Sequence, residues 1–220
     1  LPLLTLIRNR EKIGSDKLSR IYAIYISEMI NLSLGQAMDI AWHKGLADAD
    51  RLTEAQYLQM CAYKTGTLAR MAAKIAAVLC DASDDTVERL SRFAEAVGIA
   101  FQIQDDVLDI AGKEFAAGKG GRGQDITEGK RSLIVIRTLE KAKPIDRKRL
   151  LAILKKHTAD QKLRDEAIQI MKRYDSIKYA KQFATRLVAD NWKEVDRLLS
   201  PSEAKEKLRA FAEHLVERKI

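Results

Sequence analysis

Apolar residues recur at three- and four-residue intervals along nearly the whole chain, and no stretch of useful length alternates apolar with polar positions. That period belongs to helices rather than strands. Starts and stops fall where helix chemistry favours them. Ser15-Asp16 precedes a pattern that runs from Lys17 to about Lys44, where Gly45 is a natural stop. Thr53-Glu54-Ala55-Gln56 has the form of a capping box and opens a helix expected to run from Thr53 to about Leu79. Ser83-Asp84-Asp85 precedes a third, from about Thr86 to Ile110, after which comes a glycine-rich segment, Gly112 to Gly129. Helical patterning resumes at Arg131, Pro144 separates two of the later helices, and Ser200-Pro201-Ser202-Glu203 offers a cap, a first-turn proline and an acidic third position to the last. The pattern predicts an all-α bundle of long helices, one domain over residues 1–220, with no repeat or low-complexity linker.

Composition changes this picture little. A chain of 220 residues that is 46% hydrophobic can bury a substantial core, and the scarcity of Pro (3) and Gly (11) suits long helices. No apolar run is long enough to span a bilayer, and the apolar opening Leu1 to Ile7 lacks the basic start of a signal peptide, so a soluble protein is expected. Cys61 and Cys80 would lie about 28 Å apart on one helix and could not bridge there. Two isolated thiols point to a reducing compartment and to ordinary buried packing. His43, His157 and His214 are scattered, without zinc-ligand spacing.

The net charge of +8 is concentrated late. Residues 141–220 hold 21 Lys and Arg against 12 Asp and Glu, whereas residues 1–140 hold 18 against 19. The excess is spread at helical spacing, as in Lys155-Lys156 and Lys172-Arg173, which describes a solvated helix face. Lacking interleaved aromatics, it does not describe a nucleic-acid platform.

One stretch departs from the ordinary amphipathic pattern. In Phe101-Gln-Ile-Gln-Asp-Asp-Val-Leu-Asp-Ile110, Gln102, Asp105, Asp106 and Asp109 fall within about 100° of arc on one helix face, and apolar side chains occupy the remainder. A narrow acidic stripe on an apolar helix faces a polar cavity inside the bundle. Carboxylates packed so closely repel one another, and a cation is expected to join them; magnesium suits, since it takes carboxylate oxygens and shares its shell with water and phosphates. Asp84-Asp85-Thr86-Val87-Glu88 has a similar spacing but stands at a helix start, where acids favour the dipole. Downstream, Gly118-Lys119-Gly-Gly-Arg122-Gly-Gln-Asp125-Ile-Thr-Glu-Gly-Lys130-Arg131 is a loop with four positive charges and no Walker spacing. Following an acidic stripe so closely, it reads as a lid over a diphosphate.

These residues together resemble the trans-prenyltransferases, the polyprenyl diphosphate synthases that include farnesyl and geranylgeranyl diphosphate synthases. Phe101 to Asp109 resembles the family's second aspartate-rich motif. Lys64-Thr65-Gly66 and Gly35-Gln36-Ala37-Met38-Asp39 resemble two further motifs in the expected order, and Gly123-Gln124-Asp125 with Glu128-Gly129-Lys130 resembles the loop after the acidic motif. The resemblance implies an isoprenoid-synthase-type helical bundle around a cavity, in which an allylic diphosphate and isopentenyl diphosphate condense with the aid of Mg2+. It implies Asp105, with Asp106 and Asp109, as metal ligands, and Lys119 and Lys130 on the diphosphate, Arg122 being an alternative to Lys119. Lys64, Thr65 and Gln102 would be the catalytic positions, Gln36 and Asp39 would line the cavity, and Asp125 would stand as an acid behind the ligands. A cytoplasmic homodimer is implied too. The family's first aspartate-rich motif and the residues upstream of it have no counterpart in these 220 positions, so the chain is expected to be the C-terminal two-thirds of such a synthase and a poor catalyst by itself. The alternative is a non-catalytic subunit of the same fold that modulates a catalytic partner.

Overall fold

The computed structural model describes residues 2–111 and 121–217, and among them there are helices and connections but no strand. The all-α expectation holds. Two short helices, α1 (Pro2–Arg8) and α2 (Arg10–Ile13), lead into the long α3 (Ser15–His43). After a connection come α4 (Glu54–Cys61), a π-helical turn (Ala62–Gly66) and α5 (Thr67–Leu79), then α6 (Asp84–Ala111). Beyond the glycine-rich segment lie a single turn, α7 (Gln124–Thr127), and the helices α8 (Leu133–Lys141), α9 (Pro144–Leu154), α10 (Gln161–Arg173), α11 (Ser176–Leu198) and α12 (Glu203–Glu217).

The helix starts follow local chemistry. Thr53 and Gln56 form the reciprocal capping box, each accepting the other's backbone N–H, and Ser83 accepts the N–H of Thr86. Asp84 and Asp85 occupy the first turn of α6, where their charge complements the dipole. Pro144 takes the first position of α9, as its fixed φ allows. The last helix begins later than the motif suggested: Ser202, not Ser200, accepts the N–H of Lys205, so Pro201 stands outside the helix.

Helix α6 is the axle. From Ala96 to Ala100 every residue is buried, because α5 packs on one side and α11 on the other. The core is continued by Phe93 edge-on to Trp192 and by the fully buried Tyr57, Ile103, Leu133, Ile134 and Ile168. Each such side chain contributes about 1.5–3 kcal/mol of apolar burial. Cys61 belongs to this core, but Cys80, expected to be buried as well, is exposed past the end of α5.

The uninterrupted helix expected from Thr53 to Leu79 is instead broken by the π turn, and the break coincides with Lys64-Thr65-Gly66. An α-helix that admits one extra residue per turn re-aims the side chains around it. The turn is held from two sides by glycines. A Cβ on Gly98 of α6 would come within 2.7 Å of the Gly66 Cα, and one on Gly35 of α3 would lie 2.7 Å from the Tyr63 carbonyl carbon. The Thr67 hydroxyl donates to the Ala62 carbonyl across the widened turn. Below it, a buried ion network clamps the same three helices: Arg70 of α5 meets Glu28 of α3 and Glu95 of α6, and Lys74 reaches Glu28 at 3.1 Å.

Gly98→Ala should therefore drive backbone against backbone and lower stability by about 1–3 kcal/mol in a urea titration; an unaffected midpoint would show that α6 does not approach the π turn this closely. Glu28 is expected to reveal itself by pH. Although burial works against its charge, Arg70, Asn31 and Lys74 hold its pKa at about 2, below the ordinary 4.5. The unfolded chain thus binds a proton that the folded one refuses, and this contribution is lost as pH falls from about 4.5 toward about 2. In Glu28→Gln that part of the acid slope should vanish, with the stability at neutral pH reduced by about 3 kcal/mol or more.

Candidate active site

The acidic stripe lies near the C-terminal end of α6, and its members are placed differently. Asp106 is 1% exposed and Asp109 9%, while Asp105 is only half-buried. A charge as deeply placed as that of Asp106 needs partners, and among the described residues it has three. Lys130 Nζ donates to Oδ1 at 2.7 Å, Gln102 Nε2 to the same oxygen at 3.0 Å, and Tyr57 Oη to Oδ2 at 2.8 Å. Asp109 instead accepts the backbone N–H groups of Gln124 and Asp125, at 3.0 and 3.1 Å. It thereby fastens the first turn of α7 to α6, and the Gly123 N–H adds a bond to its carbonyl. Gly123 and Gly129 take positive φ on either side of α7, which brings the chain back over the stripe and delivers Lys130 to it.

The cation that lets these acids coexist in the described residues is therefore a lysine. Lys130 also reaches Asp125 at 3.1 Å. Burial works against its charge, but Asp106 and Asp125 more than offset that and hold its pKa above the ordinary lysine value. Asp125 is pushed up to about 8 by burial and by Asp106, with Lys130 pulling the other way. Asp109 is raised too, by burial, partly countered by the two N–H groups it accepts. The three carboxylates do not converge by themselves: among the described residues no group of three or more Asp, Glu, His or Cys is arranged to hold a metal. The carboxylate donor set nonetheless suits Mg2+, which needs one or two carboxylates beside water and phosphate, and Asp105 is the one solvent reaches.

The other motifs arrive at the same place. Thr65 Oγ1 donates to Gln102 Oε1 at 2.9 Å, so the π turn, α6 and Lys130 form one continuous chain of hydrogen bonds through Asp106. Lys64 pairs with Asp39 of α3 at 2.5 Å, and His43 stands 4.0 Å from the other Asp39 oxygen. Gln36, expected to line the cavity, is exposed on α3. Arg122 pairs with Asp165 of α10 at 2.7 Å, and Lys119 lies outside the described residues. Sequence reasoning missed Tyr57, whose only signal is an aromatic residue on an amphipathic helix. Lys130→Met should leave Asp106 and Asp125 facing each other without their cation, lowering stability by about 3–5 kcal/mol in denaturant titration, and adding Asp125→Asn should recover part of that loss.

Comparison with known proteins agrees with this convergence. The polyprenyl synthetase family model matches residues 4–171. A short chain isoprenyl diphosphate synthase of Methanothermobacter thermautotrophicus is 35% identical over 96% of this chain and 62% of its own length. A geranylgeranyl diphosphate synthase of Saccharolobus solfataricus is 32% identical over 91% of this chain and 59% of its own. Among solved structures, the geranylgeranyl pyrophosphate synthetase of Pyrococcus horikoshii superposes with a TM-score of 0.84 at 33% identity, covering 94% of this chain and 61% of that one. The chain thus spans about six-tenths of the length of these relatives. With most of its length matched and its motif residues gathered at one place, the chain belongs to the polyprenyl synthetase family.

Proposed function

We propose that this chain carries the metal- and diphosphate-binding wall of a trans-prenyltransferase, which condenses an allylic diphosphate with isopentenyl diphosphate into a trans-polyprenyl diphosphate longer by one isoprene unit. The observation that carries the reading is the chain Thr65, Gln102, Asp106, Lys130, in which residues from three separate motifs share hydrogen bonds. In the reaction, the allylic carbon–oxygen bond breaks with its electron pair leaving on the diphosphate. The double bond of isopentenyl diphosphate attacks the resulting cation, and loss of a proton restores neutrality. Mg2+, when bound, neutralises charge developing on the departing diphosphate. Asp105 is its direct ligand in this proposal, with Asp106 and Asp109 ordering the surface behind it.

The remaining roles follow from which protons are already committed. Thr65 gives its proton to Gln102, which keeps the threonine oxygen lone pairs available to face an allylic cation. Neither group is a strong nucleophile, so the cation is stabilised by a dipole without being trapped. Lys130 stays charged at any working pH and uses two of its three donors on Asp106 and Asp125, leaving one for a diphosphate oxygen. Lys64, held by Asp39, supplies a second ammonium, and Lys119, with Arg122 as its alternative, is the further cation proposed for the diphosphate. The proposal extends to one domain over residues 1–220 in a cytoplasmic homodimer: Ile26, Ile30 and Leu34 of α3 are each at least half exposed and form a stripe that a second copy can cover. No helix among the described residues is long and apolar enough to cross a membrane. Efficient turnover is proposed to need a further acidic wall, so binding and turnover are measured separately.

Asp105→Ala should weaken Mg2+-dependent binding of an allylic diphosphate in calorimetry and, wherever condensation is measurable, slow it by at least about a hundred-fold. Unchanged binding and rate would remove Asp105 from the metal site. Tight binding with condensation still absent in a protein that also carries the further acidic wall would favour the non-catalytic subunit.

A further inference from the structure

Tyr57 is the largest fully buried side chain among the described residues, and its one polar atom is spent on Asp106. It stands on α4, 49 residues from its partner, and no motif includes it. Burial and the neighbouring Asp106 charge push its pKa well above that of an ordinary tyrosine, so it is a permanent proton donor. Cys61, one turn along α4, is fully buried beside it, and burial pushes that thiol up as well. The acid is thus bounded on this side by groups that do not ionise.

We propose that Tyr57 is a positioning residue of the site, acting through Asp106 on Lys130 and Gln102. The inference rests on the proposed diphosphate chemistry and deepens it. A carboxylate has two oxygens, and here their duties are divided: Oδ2 belongs to Tyr57, while Oδ1 receives both Lys130 and Gln102. That division fixes the rotation of the carboxylate. It also keeps Lys130 on a single oxygen, with a donor left over for the ligand. Without the hydroxyl, Oδ2 is a buried charged oxygen with no partner, and the nearest ammonium able to satisfy it is Lys130. Lys130 then chelates Asp106 with two donors, its third goes to Asp125, and the ligand loses its cation. Gln102, crowded from Oδ1, loses the contact that orients its oxygen toward Thr65. One hydroxyl group therefore governs both the diphosphate cation and the pair facing the allylic carbon, although it touches neither.

The test is a mutant cycle on the full chain, with Mg2+ and inorganic diphosphate as the probe in calorimetry. Tyr57→Phe removes one oxygen and keeps the ring in its place. It should weaken binding by about 10–100-fold, a loss typical of removing an outer hydrogen-bond partner at a metal site. In an Asp106→Asn background the same substitution should cost less than about two-fold, because the charge through which it acts has gone. A purely structural tyrosine would instead weaken binding equally in both backgrounds. If Tyr57→Phe melts below the assay temperature, recovery of folding in the double variant reports the same coupling, and failure to recover it counts against the proposal. Undiminished binding by Tyr57→Phe, or equal losses in the two backgrounds, would overturn the positioning role while leaving the diphosphate site intact. Absence of Mg2+-dependent diphosphate binding by the unaltered chain would overturn both.

Discussion

The structure turns on a buried carboxylate and the ammonium that meets it. Asp106 has almost no access to water, and a charge there costs several kcal/mol unless its oxygens are fully partnered. Lys130 supplies the counter-charge, and the chain must double back over α6 to deliver it. Much of the surrounding geometry serves that return: the left-handed glycines at 123 and 129, the single turn of α7, and the two N–H groups by which Asp109 holds that turn down. Asp109, formally another member of the stripe, thus fixes the backbone that carries the lysine. The stripe divides its labour by depth, its inner members organising protein and its outer one facing solvent.

A second constraint is the closeness of three backbones around the π turn. Gly35 and Gly98 let α3 and α6 approach the turn at distances that a Cβ would not tolerate, and a Cβ on Gly66 would press on Glu95 at 3.2 Å. The consequence is chemical as much as mechanical. Lys64 and Thr65 emerge from adjacent positions yet reach different helices, the lysine to Asp39 on α3 and the threonine to Gln102 on α6. The charged clamp of Glu28, Arg70, Glu95 and Lys74 braces the same three helices from below. Motifs that stand 25 and 37 residues apart in the chain are thereby held within one hydrogen-bonded surface.

Much of this was legible beforehand. The acidic stripe on one helix face, the capping box at Thr53 and the proline start of α9 follow from residues a few positions apart, and each stands where the sequence puts it. The π turn was not legible, since its residues would suit an α-helix and only the packing of Gly35 and Gly98 against them distinguishes the two. Nor was the exposure of Gln36, which stands one turn before the buried Asp39 on the same face of α3. Arg122 could not be separated from the loop's other cations until α10 placed Asp165 beside it.

By itself, then, the sequence determined the all-α architecture, most of the helix caps, the acidic face and the family, because period, capping and motif order are written in neighbouring residues. The tertiary structure decided which charge answers which. Lys130 meets Asp106 across 24 residues and Tyr57 meets it across 49. No local rule selects these two partners from among the other lysines and tyrosines; only the return of the chain and the burial of that carboxylate make them the groups within reach.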